Sequence, residues 1–144
     1  MTIFEALRND HERQRALLDK LEQTEGASEE RDTLFAKLKT ELAEHAAAEE
    51  KHFYSELMQA DMTIDKARHS VAEHKELDDR IEELEGIDYS NPQWLVRFKE
   101  LKHRVLHHLE EEEREVFQVA GKVLDDAQKS SLASSYQSEM AERR

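Results

Sequence analysis

The sequence predicts an all-α protein: an up-down-up-down four-helix bundle followed by a short fifth helix or a frayed tail. Three observations lead to this fold class. The 144 residues include only three Gly and one Pro, too few for the many tight turns of a sheet protein. Apolar residues recur at steps of three and four, the period of an amphipathic helix. The connections between these stretches are short, which favours antiparallel neighbours.

The first two helices are predicted from their caps and their apolar faces. Helix 1 is expected to begin after Thr2 and to run to about Glu25, where Gly26 stops it. Helix 2 is expected to begin after Ser28 and to run to about Met58. The inward faces carry Leu7, His11, Leu18 and Leu21 in helix 1 and Leu38, Leu42, His45, Glu49 and Phe53 in helix 2.

The third and fourth helices follow the same pattern. Helix 3 is expected from Thr63, a candidate cap, to Gly86. Helix 4 is expected to begin at Pro92, which follows the cap Asn91 and needs no N–H there, and to run to about Val123. The inward faces carry Ala67, Val71, His74, Leu77 and Ile81 in helix 3 and Phe98, Leu101, Val105, His108, Glu112 and Val116 in helix 4.

The segment after Asp125 is only weakly amphipathic, through Leu132, Tyr136 and Met140. Such a segment forms either a short helix or a frayed tail. We therefore expect the bundle over residues 1–124 and the short C-terminal helix or tail over residues 125–144.

Composition excludes several classes of function. Acidic residues outnumber basic ones by 34 to 21, which gives a formal charge of −13 and argues against nucleic-acid partners and anionic membrane surfaces. The absence of Cys excludes disulfides, thiolate catalysis and cysteine-bound metal clusters. No apolar run approaches the roughly 20 residues that span a bilayer, and the N-terminus has no signal-peptide core. We therefore expect a cytoplasmic location.

Some histidines and glutamates share a face with the apolar stripe. On helix 4, Leu101 lies about 20° and Glu112 about 40° from His108 around the helix axis, so both polar groups point at the core. A shift of 63 residues then moves one inward polar set onto another: His11, His45 and Glu49 onto His74, His108 and Glu112. A helical hairpin therefore occurs twice. Two such hairpins, packed about a pseudo-two-fold axis, would bring four imidazoles and two carboxylates together as a dinuclear metal site.

Other readings compete with this prediction. A lone inward histidine is usually a hydrogen-bonded core residue, but six inward polar groups without metal would leave many buried atoms unsatisfied. A rival pair, His107 and Glu111, is less well aimed. The acidic run 110–114, apart from Glu112, is expected to be a solvated face. His52 is expected to pack or to line a rim, and the remaining histidines are expected at the surface: His69, His103 and His107.

The donor set indicates which chemistry the site supports. Mixed imidazole and carboxylate ligands suit iron, manganese or zinc. Two carboxylates neutralise half the charge of two divalent ions, which favours small anionic ligands, peroxide or nitric oxide. Six side chains leave open coordination positions, unlike a closed structural zinc site. Because carboxylates are few, reversible binding or sensing is favoured over hydrocarbon oxidation.

The arrangement of these residues resembles the hemerythrin-like family, also called the HHE cation-binding domain, over about residues 3–124. Four motifs carry the resemblance: Asn9-Asp10-His11-Glu12, His45-Ala46-Ala47-Ala48-Glu49-Glu50 with Phe53-Tyr54, Ala72-Glu73-His74-Lys75, and His107-His108-Leu109-Glu110-Glu111-Glu112-Glu113 with Phe117. The resemblance implies a four-helix bundle with an oxo-bridged, non-haem pair of iron ions, rather than manganese or zinc. The implied ligands are His11, His45, Glu49, His74, His108 and Glu112, with both glutamates bridging.

The chain departs from oxygen-carrying hemerythrins at one position. They have His-x-x-x-His in the third helix, and here Asp78 stands four residues after His74. Asp78 would ligate a metal directly, hold a water or cap the cavity. Loss of the fifth imidazole argues against stable oxygen carriage.

The resemblance leads to three functional hypotheses. The first is a di-iron protein that binds dioxygen, nitric oxide or peroxide for sensing, storage or stress protection. The second is a di-iron enzyme that decomposes peroxide or oxidises ferrous iron. The third is an iron-handling or sensor module with a protein partner. The donor set favours binding over turnover.

Overall fold

Five helices, with no strand, make up the structure, a computed structural model that describes residues 1–144. α1 is Ile3–Glu22, α3 is Ile64–Glu85 and α5 is Asp126–Arg143. The other two each contain one π-helical turn: α2 consists of Glu29–Glu49, the π-turn Glu50–Tyr54 and Ser55–Leu57, and α4 consists of Pro92–Glu111, the π-turn Glu112–Val116 and Phe117–Val123. The all-α class is confirmed. No helix combines the length and the apolar character needed to cross a membrane.

Side-chain caps fix where most helices begin. Thr2, Ser28 and Asn91 each accept a hydrogen bond from a backbone N–H of the first turn, as predicted. Thr63 lies at the expected cap position of α3, but its side chain caps nothing. Its hydroxyl instead donates to the Leu57 carbonyl at 2.5 Å, which ties the α2–α3 connection to the end of α2.

α1 ends at Glu22, three residues before the expected end. The Thr24 hydroxyl donates to the Leu21 carbonyl at 2.6 Å, and Arg31 donates to the Thr24 carbonyl at 2.7 Å. These bonds turn the chain toward α2 before Gly26 is reached. Gly26 then adopts a left-handed φ of 57°, which costs glycine little.

The C-terminal segment is a helix rather than a frayed tail. Asp125 begins α5 with a capping box to Gln128. Ala133, Tyr136 and Met140 are buried, and α5 packs on α1 and α2. Its weak amphipathic pattern reflects a narrow contact face.

The core consists of two apolar clusters with a polar layer between them. One cluster contains Leu7, Phe53 and Leu57, and the other contains Leu18, Leu38 and Phe98. Along each of the first four helices, one inward histidine lies at or next to the boundary between the residues of the two clusters. The fold therefore places four imidazoles at one level.

Candidate metal centre

The inward histidines and glutamates converge in the middle of the bundle. They form two groups of potential ligand atoms, and within each group these atoms lie within 4.8 Å of one another. Both groups include Glu49 and Glu112; the first adds His11 and His45, and the second adds His74 and His108. All six residues are buried. The structure thus brings together every residue of the predicted set except Asp78.

The two glutamates lie between the histidine pairs. Glu112 directs Oε1 at His11 Nε2, 3.2 Å away, and Oε2 at His108 Nε2, 3.7 Å away. Glu49 Oε1 lies 3.5 Å from His45 Nε2 and 3.2 Å from His74 Nε2. Each carboxylate therefore reaches both groups, as a bridging ligand would.

The inner nitrogens of the imidazoles have no hydrogen-bond partner. Nε2 of all four histidines is buried and unpaired, and so are both oxygens of Glu49 and Oε1 of Glu112. Buried polar atoms are normally satisfied, because an unpaired one costs free energy. Oxygen and nitrogen donors that converge without partners are suited to coordinate cations, so the residues fit a pair of metal ions.

The outer nitrogens, in contrast, are all paired. Three of the Nδ1 atoms lie close to a carboxylate: His11 is 2.6 Å from Glu113, His74 is 2.8 Å from Glu50 and His108 is 2.8 Å from Glu73. The fourth, His45 Nδ1, lies 2.5 Å from the Tyr136 hydroxyl. An ionised carboxylate only accepts, so Nδ1 of His11, His74 and His108 carries a proton, and Nε2 presents its lone pair to the centre when the ring is neutral. Metal-bound histidines are commonly held in this way.

Sequence reasoning missed these outer partners. Glu113, expected on a solvated face, is instead largely buried against His11. The signal was present in the repeat, because a shift of 63 residues also moves Glu50 onto Glu113 and Asp10 onto Glu73.

The two halves of the repeat differ at His45. Glu73 contacts His108 directly, but its counterpart Asp10 is one methylene shorter and reaches His45 only through Tyr136. The Tyr136 hydroxyl donates to Asp10 at 2.6 Å, and the His45 Nδ1–H donates to the hydroxyl oxygen. α5 therefore completes one half of the site.

A second tyrosine contacts a carboxylate of the centre. Tyr54 lies in the π-turn of α2, and its hydroxyl donates to Glu112 Oε2. Its counterpart under the repeat is Phe117, so this bond too occurs in one half only. π-turns are frequent at functional sites, because the extra residue redirects side chains.

A cavity of about 340 Å³ reaches the centre from the surface between α2 and α3. His45, His74 and His108 lie at its inner end, and Leu77 lines its wall. Asp78 also lines the cavity, but it is exposed and belongs to neither group of potential ligand atoms. The cavity gives small molecules a route to the His74–His108 side.

The remaining histidines lie outside the centre. His69, His103 and His107 are exposed, as predicted. His52 is partly buried and contacts Glu139 of α5 at 3.1 Å. The rival pair His107 and Glu111 lies at the surface and contributes nothing to the buried cluster.

Comparison with known proteins identifies the family. The family model described as hemerythrin HHE cation binding domain matches residues 2–120. The chain belongs to the hemerythrin family. A similar solved structure is the crystal structure of a hemerythrin HHE cation binding domain-containing protein from Mycobacterium kansasii, with 25% sequence identity and a TM-score of 0.90. The alignment covers 99% of this chain and 87% of that one. No curated protein is similar enough in sequence to count as a match.

The carboxylates of this hemerythrin domain hold protons on two of its histidines when no cation is bound. Burial lowers the pKa of His11, but the adjacent carboxylates of Glu112 and Glu113 outweigh it and raise the pKa to about 9. Burial also lowers the pKa of His74, but the carboxylates of Glu49 and Glu50 outweigh it and raise the pKa to about 10. A cation that bound there would therefore compete with protons for the same nitrogen atoms.

The glutamates of the hemerythrin centre differ in their affinity for protons. Burial and the negative charge of Glu49 raise the pKa of Glu112. Burial also acts to raise the pKa of Glu49, but the neighbouring histidines, His45 first, lower it well below its ordinary value. At Glu113, hydrogen bonds from His11 and Arg15 outweigh partial burial and lower the pKa to about 2.

We expect the metal-free protein to lose stability as the pH rises from about 6.5 to 10. His11 and His74 have pKa values near 9 and 10 when folded, against 6.5 ordinarily, so the folded state binds their protons more tightly. This stabilisation is fully present below pH 6.5 and is lost as the pH passes 9 to 10. Thermal melts across this range measure it. Glu113→Gln, which weakens the interaction with His11, should flatten the dependence; a wild-type melting temperature that stays constant or rises would contradict the account.

Tyr136→Phe is expected to weaken metal binding at the His11–His45 half about 10- to 100-fold, the usual effect of losing an outer hydrogen bond to a ligand. The ring stays, so the core remains filled, but His45 Nδ1 loses its partner. Glu73→Gln is the matched variant for the His108 half. Competition with a chelator of known affinity measures both. If Tyr136→Phe kept wild-type affinity for both ions, α5 would have no part in the centre.

Proposed function

We propose that this hemerythrin domain holds two iron ions and binds dioxygen or a related small molecule, nitric oxide or peroxide. The proposed ligands are His11, His45, Glu49, His74, His108 and Glu112, with both glutamates bridging. One observation carries the proposal: four buried Nε2 atoms converge on two shared carboxylates, and none of the four has a hydrogen-bond partner.

Iron is the metal that we propose. The donor set of imidazoles and carboxylates suits iron, manganese and zinc alike, and the family to which the chain belongs typically holds a pair of iron ions. Bound iron supplies Lewis acidity and one-electron redox chemistry. The two bridging carboxylates would balance half the charge of two divalent ions, so the centre retains attraction for anionic or polar small ligands.

The residues of the chain have separate tasks in this proposal. Glu50, Glu73, Glu113 and the pair Tyr136–Asp10 fix the tautomer and orientation of the imidazoles. Tyr54 holds Glu112 by a hydrogen bond and offers the only hydroxyl directly on a bridging carboxylate. The apolar clusters shield the ligands from bulk water at either end of the polar layer, and the cavity provides an approach from solvent.

Asp78 is proposed to act at the cavity wall rather than as a ligand. It is exposed, and its carboxylate is not grouped with the histidines. A carboxylate there can hold a water molecule near the His74–His108 side. Because Asp78 stands where a fifth imidazole would be, fewer side chains would hold an ion on that side, which favours exchange of small ligands over stable oxygen carriage.

The cavity also supports a second candidate function, an enzyme that decomposes peroxide or oxidises ferrous iron. It opens to solvent and ends at three of the proposed ligands, so substrate and product have a path. The third hypothesis, an iron-handling or sensor module with a protein partner, stays a prediction. The up-down-up-down order, the division at residue 124 and the cytoplasmic location stay predictions.

One experiment tests the proposal and separates its two candidates. Protein loaded with ferrous iron under anaerobic conditions is exposed to dioxygen, and its visible absorption is followed after metal analysis. Two irons per chain and a persistent charge-transfer band support binding. Rapid bleaching, with steady consumption of hydrogen peroxide that His74→Ala abolishes, supports the enzyme. One tightly held zinc and no iron would reject both.

A further inference from the structure

A second set of histidines and glutamates lies at the surface of α3 and α4. His69 and Glu73 are four residues apart on α3, and His107 and Glu111 are four residues apart on α4. This His-x-x-x-Glu spacing is also that of the buried pairs, because residues four apart share a helix face. The pair His107 and Glu111 on α4 therefore faces the pair His69 and Glu73 on α3, outside the buried centre.

Three of these side chains form a compact donor set. His69 Nε2 lies 3.3 Å from Glu111 Oε1 and 3.5 Å from Glu73 Oε2, and the three potential ligand atoms lie within 4.8 Å of one another. His107 Nε2 lies 3.2 Å from the other oxygen of Glu111. His69 and His107 are more than half exposed, with side-chain exposures of 56% and 60%, so a hydrated cation can reach them.

Glu73 connects this surface set to the buried centre. Its Oε1 accepts the hydrogen bond from His108 Nδ1 at 2.8 Å, while its Oε2 faces His69. A cation bound by Glu73 Oε2 would therefore be one side chain away from a proposed ligand of the inner site. The other half of the repeat has no such set, since the counterparts of His69, His107 and Glu111 are Ala6, Glu44 and Ala48.

We propose that His69, Glu73 and Glu111 form a third, exposed cation site, with His107 as a fourth donor at its edge, for a divalent first-row transition-metal ion. Imidazole donors select such ions over magnesium and calcium, and two carboxylates balance a charge of +2. The site is open to solvent and adjoins the inner centre, so it is placed to take up cations at the surface. It does not depend on which metal the inner centre holds.

Equilibrium dialysis with zinc, followed by elemental analysis, tests this site. Purified protein that already carries its inner metal is dialysed against micromolar Zn²⁺, and every metal is then counted per chain. We expect a gain of about one zinc per chain with no loss of the metal already bound. A gain of zinc that equals the loss of the resident metal would mean exchange at the inner centre and would overturn the proposal, as would no gain at all.

Two variants locate the zinc. The double variant His69→Ala, His107→Ala removes exposed side chains, so the fold and the inner metal should be unchanged while the affinity for the added zinc falls at least tenfold. His103→Ala, an exposed histidine elsewhere on α4, is the matched control and should bind zinc like the wild type. Equal zinc binding by the double variant and the control would show that the zinc lies elsewhere. The comparison of the double variant with the control does not depend on the iron proposal, because both proteins have the same inner centre whichever metal it holds.

Discussion

Glu49→Ala is expected to abolish the binding of both metal ions while the protein still folds. Glu49 belongs to both groups of potential ligand atoms and lies within 3.5 Å of histidines on either side, so its loss removes one ligand from each ion. It also removes a buried carboxylate whose charge is otherwise costly without metal. Elemental analysis should give close to zero metal per chain, and circular dichroism should give a helical spectrum like that of the metal-free wild type.

Glu56→Ala is the matched control for this prediction. Glu56 lies on the same helix, seven residues further along, and is exposed. It should keep the wild-type metal content. If Glu49→Ala kept both ions at wild-type affinity, Glu49 could not be a shared ligand.

Complete removal of the metal by a chelator is expected to lower the melting temperature by about 10 °C or more. Binding only to the folded state stabilises it by about 2.7 kcal/mol per site at a hundredfold excess over Kd, and each kcal/mol shifts the melting temperature of a chain of this size by about 2–4 °C. Removal also leaves the inner atoms of six buried side chains without a cation. Scanning calorimetry with and without chelator measures the shift.

The Glu49→Ala variant supplies the control for the chelator. Because that variant has no metal to lose, its melting temperature should not respond. An identical response of the variant and the wild type would show that the chelator acts elsewhere. A wild-type melting temperature that is unchanged after complete metal removal would contradict the proposed coupling between metal and fold.

Helix periodicity was sufficient to predict the inner residues. An inward position on one helix follows from its angle to the apolar stripe, and the 63-residue repeat relates the two hairpins. The helix starts at Thr2, Ser28 and Asn91 were predicted from their capping side chains, because capping depends on local sequence.

The outer partners could not be predicted from such angles. Glu113 and Glu73 lie at the side of the apolar stripe, where the angle alone does not distinguish solvent from a neighbouring helix. Tyr136 contacts His45 across a sequence separation of 91 residues, and its helix has only a weak pattern. These contacts depend on how the helices pack against one another, which cannot be deduced from the sequence pattern of one helix.

The two halves of the repeat also differ in the side chains that the fold brings to them. Tyr54, Tyr136 and the exposed set around His69 each occur in one half only. The two hairpins of the repeat therefore surround the two groups of potential ligand atoms with different partners. On this account, the two ions differ in affinity and in access to the cavity.

Anomalous diffraction at the iron absorption edge, from crystals of iron-loaded protein, tests the central claim most directly. We expect two strong peaks inside the bundle, one beside His11 and His45 and the other beside His74 and His108, with Glu49 and Glu112 in contact with both. A single peak, or peaks that none of these four histidines contacts, would contradict it.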